Sequence, residues 1–341
     1  MADGLPDAGP EDGALSGGGA RRSTRTNYTP RAHTGQRLVP HVIIIWRKNV
    51  APSYMELVLL VAVLILLVVI GVLIFTQPRH KTAIVSLVKD PHAFETWVTY
   101  HKEKMKIDKF YVFLDDESEA LNFDDPALEV HRDWKGRLGF EFNDKIDEPA
   151  NVRVKQQLVT EEGARLAEKD GIKYLVHIDS DELLYGPRPA AHVFSSYPAD
   201  AFHMKNSELA PDRKDYKNCF MEGTWFHGDP QKFIAYGNGK GAGVVGKSLP
   251  YGPHNFKGSR VVEVPEDELK VLHYPSCNID ETLKRAKNYG KFKDDSAGWS
   301  DHHKETRDVL TACGADCKEK AEAQFEKRMA GPDAYQVDLG L

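Results

Sequence analysis

Asp179, Ser180, Asp181 and Glu182 close a largely apolar run, Ile172 to Ile178 (I-K-Y-L-V-H-I). Two carboxylates at i and i+2, where a chain leaves a strand, suit a hard divalent cation such as Mg2+ or Mn2+. A cation held there can in turn hold a diphosphate. Carboxylates gathered without partners at a strand end repel one another, so such a cluster implies a cation or a functional need. Asp181 is the expected direct ligand, with Asp179 beside it or facing a ribose. A D-x-D triplet alone also arises as a solvated turn; its place at the mouth of an apolar strand gives this one weight.

Other residues could complete such a site. His273, in V-L-H-Y-P, and His254, in G-P-H-N-F, are candidates for a third metal ligand, although a histidine in an apolar strand is more often a core residue. Asp115 and Asp116 follow the run K-F-Y-V-F-L and could accept a hydrogen bond from a base N–H or a ribose hydroxyl. Lys89, after the first strand, joins them as a donor-binding candidate. Gly237 to Gly246 reads as a mobile glycine-rich loop that could fold over a diphosphate, with Lys240 or Lys247 supplying charge; it lacks the Ser or Thr of a P-loop. A transfer to a hydroxyl also needs a general base, for which Glu222 and Glu208 are the candidates.

The elements that must position these groups follow from periodicity. Thr82–Val88, Lys109–Leu114 and Ala127–His131 are predicted strands, as are Ala201–Met204, Lys232–Tyr236 and Leu269–Tyr274. Helices are predicted over Pro91–Met105, Asn151–Lys169 (with Gly171 as C-cap), Asp280–Lys293 and Asp316–Met329. Strand, helix, strand, strand, helix, strand in that order predicts an α/β fold, a mainly parallel sheet covered on both faces, whose ligands bind at the carboxyl edge.

Ahead of this lies Leu57 to Phe75, nineteen residues without one polar or charged side chain. At 1.5 Å per residue that is roughly 28 Å, close to the hydrocarbon thickness of a bilayer. The tail 1–53 carries seven basic residues against four acidic ones, which places the N-terminal side in the cytosol. The expected layout is a disordered cytosolic tail (1–53), a transmembrane signal-anchor (54–76), a short stem (77–80) and a lumenal domain (81–341). That is a single-pass type II protein of the Golgi or endoplasmic reticulum membrane. The net charge of −6 gives no case for nucleic-acid binding through the whole surface. Cys219, Cys277, Cys313 and Cys317 all follow the apolar stretch, where disulfides form, and they allow three pairings. Asn27-Tyr28-Thr29, the one N-x-[ST] sequon, lies on the cytosolic side.

Taken together, Val88-Lys89, E-T-W-V-T-Y-H (Glu95–His101), K-F-Y-V-F-L-D-D-E-S, Gln157, H-I-D-S-D-E-L-L, K-F-I-A-Y-G-N-G-K, G-P-H-N-F and V-L-H-Y resemble the GT-A glycosyltransferases of the family 92 and family 2-like group. The resemblance runs from about Lys81 to Phe292, with Val88-Lys89-Asp90-Pro91 where many relatives read V-K-N-E. It implies a GT-A fold (a Rossmann-like nucleotide-diphospho-sugar transferase with a mixed sheet), a UDP- or GDP-sugar donor with UDP the first choice, Mn2+ (Mg2+ as the second choice) as cofactor and inversion at the anomeric carbon. It also implies Asp115 as a base or ribose contact, Asp181 as metal ligand and His273 as the C-terminal metal ligand. The expectation is a metal-dependent inverting glycosyltransferase, a hexosyltransferase in the first instance, acting on a hydroxyl of a glycan, glycoprotein or glycolipid. The alternatives are a membrane-tethered glycan-binding protein without turnover and a metal-dependent phosphoester hydrolase.

Overall fold

The computed structural model describes residues 53–75, 80–116, 120–121, 123–143, 148–288, 317–329 and 331–340, with the side chains of 70–75, 148–150 and 285–288 excepted. Residues 1–52 fall outside it, as do Cys313 and the ends of the two last predicted helices.

Two units separate near residue 74. In the first, helix α1 (Tyr54–Phe75) opens on a reciprocal cap. Ser53 N donates to Glu56 Oε2 at 2.8 Å, and Glu56 N donates to Ser53 Oγ at 3.3 Å, satisfying two N–H groups that the first turn leaves unpaired. Every side chain from Tyr54 to Val69 is exposed. Those sixteen residues span about 24 Å, and among the described residues no helix is long and apolar enough to cross a membrane.

The second unit holds, in order, β1 (Thr82–Val88), α2 (Phe94–Glu103), β2 (Lys109–Leu114), β3 (Leu128–His131), α3 (Trp134–Arg137), α4 (Glu148–Lys169), β4 (Tyr174–His177), β5 (Glu182–Tyr185), α5 (Ala190–Ser195), β6 (Ala201–Met204) and β7 (Asn206–Leu209). Then follow α6 (Cys219–Glu222), β8 (Trp225–His227), β9 (Lys240–Val244), the hairpin β10 (Leu249–Tyr251) and β11 (Asn255–Lys257), β12 (Val261–Val264), β13 (Lys270–His273), α7 (Ile279–Asn288), α8 (Cys317–Glu326) and β14 (Tyr335–Gln336).

A seven-stranded sheet runs β12-β6-β9-β4-β1-β2-β3. The β4-β1-β2-β3 half is parallel, and β9 is antiparallel to both its neighbours. Alternate residues face opposite ways along each strand. Ile84, Phe110, Val112 and Leu114 bury against Trp97, Val98 and Phe194, whereas Val85, Tyr111 and Phe113 bury against Trp134, Val159 and Leu166. Both faces are therefore covered, which is why these strands read as continuous apolar runs.

A second sheet, β14-β8-β7-β13-β5, abuts the first because the chain crosses from the first sheet into the second three times. It passes from β4 to β5 through Ile178–Asp181, from β6 to β7 at Lys205, and from β12 to β13. The acidic turn thus lies on a junction between sheets. Helix α2 closes the free edge of β5. Trp97 Nε1 donates to Glu182 O at 2.7 Å, and Leu184 N donates to His101 Nε2 at 3.0 Å, both from one face of the helix at i and i+4.

Four predicted features are altered. Helix α2 starts at Phe94 rather than Pro91, because Asp90 and Ala93 take left-handed φ values of 47° and 46°. The predicted strand Lys232–Tyr236 is instead a 3-10 turn (Pro230–Lys232) and a loop. Ile234 N and Ala235 N bond the Glu208 carboxylate at 2.7 and 3.1 Å, so a side chain replaces the ladder. The glycine-rich stretch expected to be a mobile loop contains β9, an interior strand. Its glycines are there for close approach: a Cβ on Gly243 would lie 2.1 Å from Ser248 Oγ and 2.5 Å from a Phe256 ring carbon. The sheet is mixed, as the GT-A resemblance implies, rather than mainly parallel as the order of elements alone predicts. The Gly171 C-cap stands: φ is +67°, Ile172 N bonds Ala167 O at 2.9 Å and Gly171 N bonds Glu168 O at 3.2 Å, the two bonds of a Schellman ending.

Candidate active site

A cavity of about 730 Å3 opens at the carboxyl ends of β1, β2 and β4. Asp115, Asp179, Asp181, His254 and His273 line it, together with Lys89 and Asp90 from the β1–α2 connection, Arg153 and Gln156 from α4, Tyr251 to Asn255 from the hairpin, and Glu281 and Lys284 from α7.

Strand β13 carries the histidine between two carboxylates. His273 stands in register with Glu182 of β5 on one side and Glu208 of β7 on the other. Its Nε2 lies 3.5 Å from Asp181 Oδ2 and its Nδ1 lies 3.4 Å from Glu208 Oε2, long for hydrogen bonds, and Nδ1 makes none. Burial works against charge on this ring, but Asp181 and Glu208 outweigh it and raise its pKa to about 9. Asp181, Glu182 and His273 offer ligand atoms within 4.8 Å of one another.

Asp179 is held differently. Lys240 Nζ approaches its Oδ2 at 2.5 Å, Gln156 Nε2 donates to its Oδ1 at 2.9 Å, and its own N–H donates to Glu182 Oε2 at 2.7 Å. Burial would raise the Asp179 pKa; the Lys240 charge, helped by His177, pulls it below the usual carboxylate range. Lys240, 1% exposed, also stands 3.5 Å from Glu182, and burial notwithstanding these two carboxylates hold its pKa above the ordinary lysine value. Glu182 is fully buried, accepts a hydrogen bond from Tyr236 Oη, and is pushed up to about 7, chiefly by desolvation.

The Tyr236 ring separates the two candidate histidines, its centroid 4.9 Å from that of His254 and 4.7 Å from that of His273. His254 Nδ1 bonds Gly239 O at 2.7 Å, and burial, with Lys240 nearby, lowers the ring to about 3. The structure therefore joins His273, and not His254, to the acidic turn. Asp115, at the end of β2, is clasped by Lys155 Nζ at 2.8 Å and Lys135 Nζ at 3.1 Å. Asp116 is exposed and, like the exposed Lys247, is not part of the lining.

Neither expected base lies on the cavity wall. Glu222, in α6, pairs with Arg213 and accepts from Asn218 N at 2.8 Å and Lys217 N at 3.1 Å, a local capping role. Glu208 is 2% exposed behind His273, its carboxylate taken up by Ile234 N and Ala235 N. Of the three cysteine pairings the structure selects Cys219–Cys277, Cα atoms 5.3 Å apart, which ties α6 to the segment leading from His273 into α7.

No protein-family model matches the chain. Two Arabidopsis thaliana proteins described as glycosyltransferase-like are each 25% identical to it, over 242 and 240 residues, 57% of this chain in both cases. The matched parts are 46% and 53% of those proteins, so the chain spans about half the length of the curated relatives it matches. These similarities support a glycosyltransferase family. The mixed α/β architecture fits a glycosyltransferase-like fold.

For such a fold the donor chemistry of the site suits a divalent cation. A carboxylate oxygen of Asp181 and an imidazole nitrogen of His273 face the same cavity, and the His273 Nδ1 left without a hydrogen bond lies against Glu208, which would orient the ring as a ligand. Gln156, Glu182, Tyr236 and the Lys240–Asp179 pairing were not foreseen. The signal available in the sequence was Glu182 itself, an acid at the head of the apolar run Leu183–Tyr185; that His273 stands beside it is set by the pairing of β13 with β5.

Proposed function

We propose that the cavity binds a nucleotide sugar and that the protein is a metal-dependent, inverting glycosyltransferase of GT-A type, transferring a hexose to a hydroxyl of a glycan-bearing acceptor. The observation that carries this reading is the pairing of Asp181 with His273, 3.5 Å apart, on the wall of a 730 Å3 cavity at the carboxyl ends of parallel strands. Asp181 and His273 would hold Mn2+ or Mg2+, which when bound offsets the charge on the departing nucleoside diphosphate.

The remaining work falls to the chain. Lys240 and Gln156 fix the Asp179 carboxylate, leaving it placed to accept from a donor ribose or sugar hydroxyl. Lys155 and Lys135 hold Asp115 ionised, as an acceptor for a base N–H; burial would raise its pKa, and the two lysines lower it. The acceptor hydroxyl must give its proton to a carboxylate that faces the cavity. Glu222 and Glu208 do not, so in this reading the base is Asp90 or Glu281, both of which line it. The anchor belongs to the proposal too. Leu57–Phe75 has no polar side chain, and the exposed side chains from Leu57 to Val69 would leave a continuous apolar surface in water. The basic flank supports a type II orientation, and the short apolar span suits the thinner Golgi or endoplasmic reticulum membrane.

The test is a thermal-shift panel of UDP- and GDP-sugars with and without Mn2+. A ligand at 100 times its dissociation constant adds about 2.7 kcal/mol. A donor that shifts the transition only with metal supports the reading; a panel without any shift overturns it. Binding without transfer to any acceptor would favour the turnover-free glycan-binding alternative.

A further inference from the structure

The cations around the cavity are nearly all matched to acids. Lys240 is held by Asp179 and Glu182, Lys135 and Lys155 by Asp115, Lys284 by Asp90 at 3.5 Å, and His273 lies between Asp181 and Glu208. Two lining cations are different. Arg153 and Lys89 make no hydrogen bond or ion pair among the described residues.

Arg153 is placed by its helix. It sits three residues before Gln156, which bonds Asp179, and four before Gln157, whose amide donates to Pro250 O at 3.2 Å and accepts from Gly252 N in the hairpin. Spacings of three and four put all three side chains on one face of α4, the face over the cavity. Lys89 comes from the end of β1, which borders β2 and β4 in the sheet. A guanidinium without a protein partner, on the wall of a cavity otherwise rich in carboxylates, is an electrostatic asset only to an incoming anion.

We propose that Arg153, assisted by Lys89, forms an anion subsite that takes the diphosphate of the donor, a role that rests on the nucleotide-sugar reading above. The planar fork of Arg153 matches two phosphoryl oxygens at once, and Lys89 adds a point charge. The charge left on a nucleoside diphosphate after one divalent cation has bound is what these two side chains offset.

Isothermal titration of the full chain in EDTA, so that metal plays no part, with uridine, UMP, UDP and inorganic pyrophosphate tests this. Wild type should bind UDP more tightly than UMP, and UMP more tightly than uridine. Arg153→Gln should weaken UDP and pyrophosphate about tenfold or more and leave uridine unchanged; tenfold corresponds to about 1.4 kcal/mol. Arg153→Lys should recover part of the loss, and Lys89→Gln should give a smaller one. Glutamine is a good helix former at an exposed position, so an unchanged melting temperature shows that the fold is intact. UDP and pyrophosphate affinities unaffected by Arg153→Gln overturn the subsite and leave the nucleotide-sugar reading standing. Arg153-dependent binding of pyrophosphate with none of UDP keeps the anion subsite and overturns the nucleotide source. Binding of neither in EDTA overturns the subsite; binding of neither when Mn2+ replaces EDTA overturns the nucleotide-sugar reading as well.

Discussion

Removing Lys240 tests the electrostatic core of the site. Lys240 is 1% exposed and lies 2.5 Å from Asp179 and 3.5 Å from Glu182. Lys240→Met keeps most of the side-chain volume and deletes the charge, so two carboxylates are left facing each other across a buried pocket. Breaking a buried pair by removing one partner costs about 3–5 kcal/mol, and the lower end applies because the Asp179 side chain is 27% exposed. At about 2–4 °C per kcal/mol for a domain of this size, the melting temperature should fall by about 6–12 °C. The loss should also grow with pH. Glu182 already titrates near 7 in the wild type, and without the lysine its pKa rises further. The variant's folded state therefore holds a proton that the wild type releases above about pH 7, and its relative stability falls as pH rises beyond that point. Urea unfolding at pH 5.5 and pH 8, with Glu182→Gln added to Lys240→Met as a partial rescue, measures all of this. A Lys240→Met cost below about 1 kcal/mol at both pH values would refute the reasoning.

Three further outcomes are expected. Reducing Cys219–Cys277, or replacing both residues by Ser, should cost about 4 kcal/mol on a loop-closure account with the two cysteines 58 positions apart, read as a lower urea midpoint. Gly243→Ala should destabilise by about 1–3 kcal/mol, since the new Cβ meets Ser248 and Phe256, whereas Ala at the open Gly136 should have little effect in the same assay. His101 is buried with Nδ1 against Trp97 O at 2.8 Å and Nε2 accepting from Leu184 N, and burial lowers it to about 3. Its contribution is present above about pH 6.5 and is lost as pH falls towards 3. His273, raised to about 9, contributes below about 6.5 and loses that contribution as pH rises through 9. Unfolding free energies of His101→Gln and His273→Gln across pH 4–9 should flatten the acid and alkaline limbs respectively.

The strands that pack on both faces were legible because an apolar run of β-branched and aromatic residues has few other fates. Thr82–Val88 and Lys109–Leu114 stand where the sequence puts them, and the chain leaves β4 into the acidic turn as expected. What local pattern could not reveal depends on partners distant in the chain. Glycines in β9 look like a loop until Ser248 and Phe256 press against them. Ile234 and Ala235 look like a strand until Glu208, 26 and 27 residues earlier, takes their N–H groups. Asp179 looks like a free ligand until Lys240, 61 residues away, pairs with it. Glu222 looks like a candidate base, and α6 uses it as a cap. Trp97 and His101 were legible as a helical face, but not as the groups that finish the edge of β5.

The central claim is that Asp181 and His273 let this cavity hold a nucleotide sugar through a divalent cation. Equilibrium dialysis of UDP against wild type and Asp181→Asn, with Mn2+ and with EDTA, tests it most directly. Wild-type affinity should rise at least tenfold with Mn2+, and Asp181→Asn, shown by a cooperative melt to be folded at the assay temperature, should lose that gain. An equal response to Mn2+ in both proteins, or none in either, would contradict it.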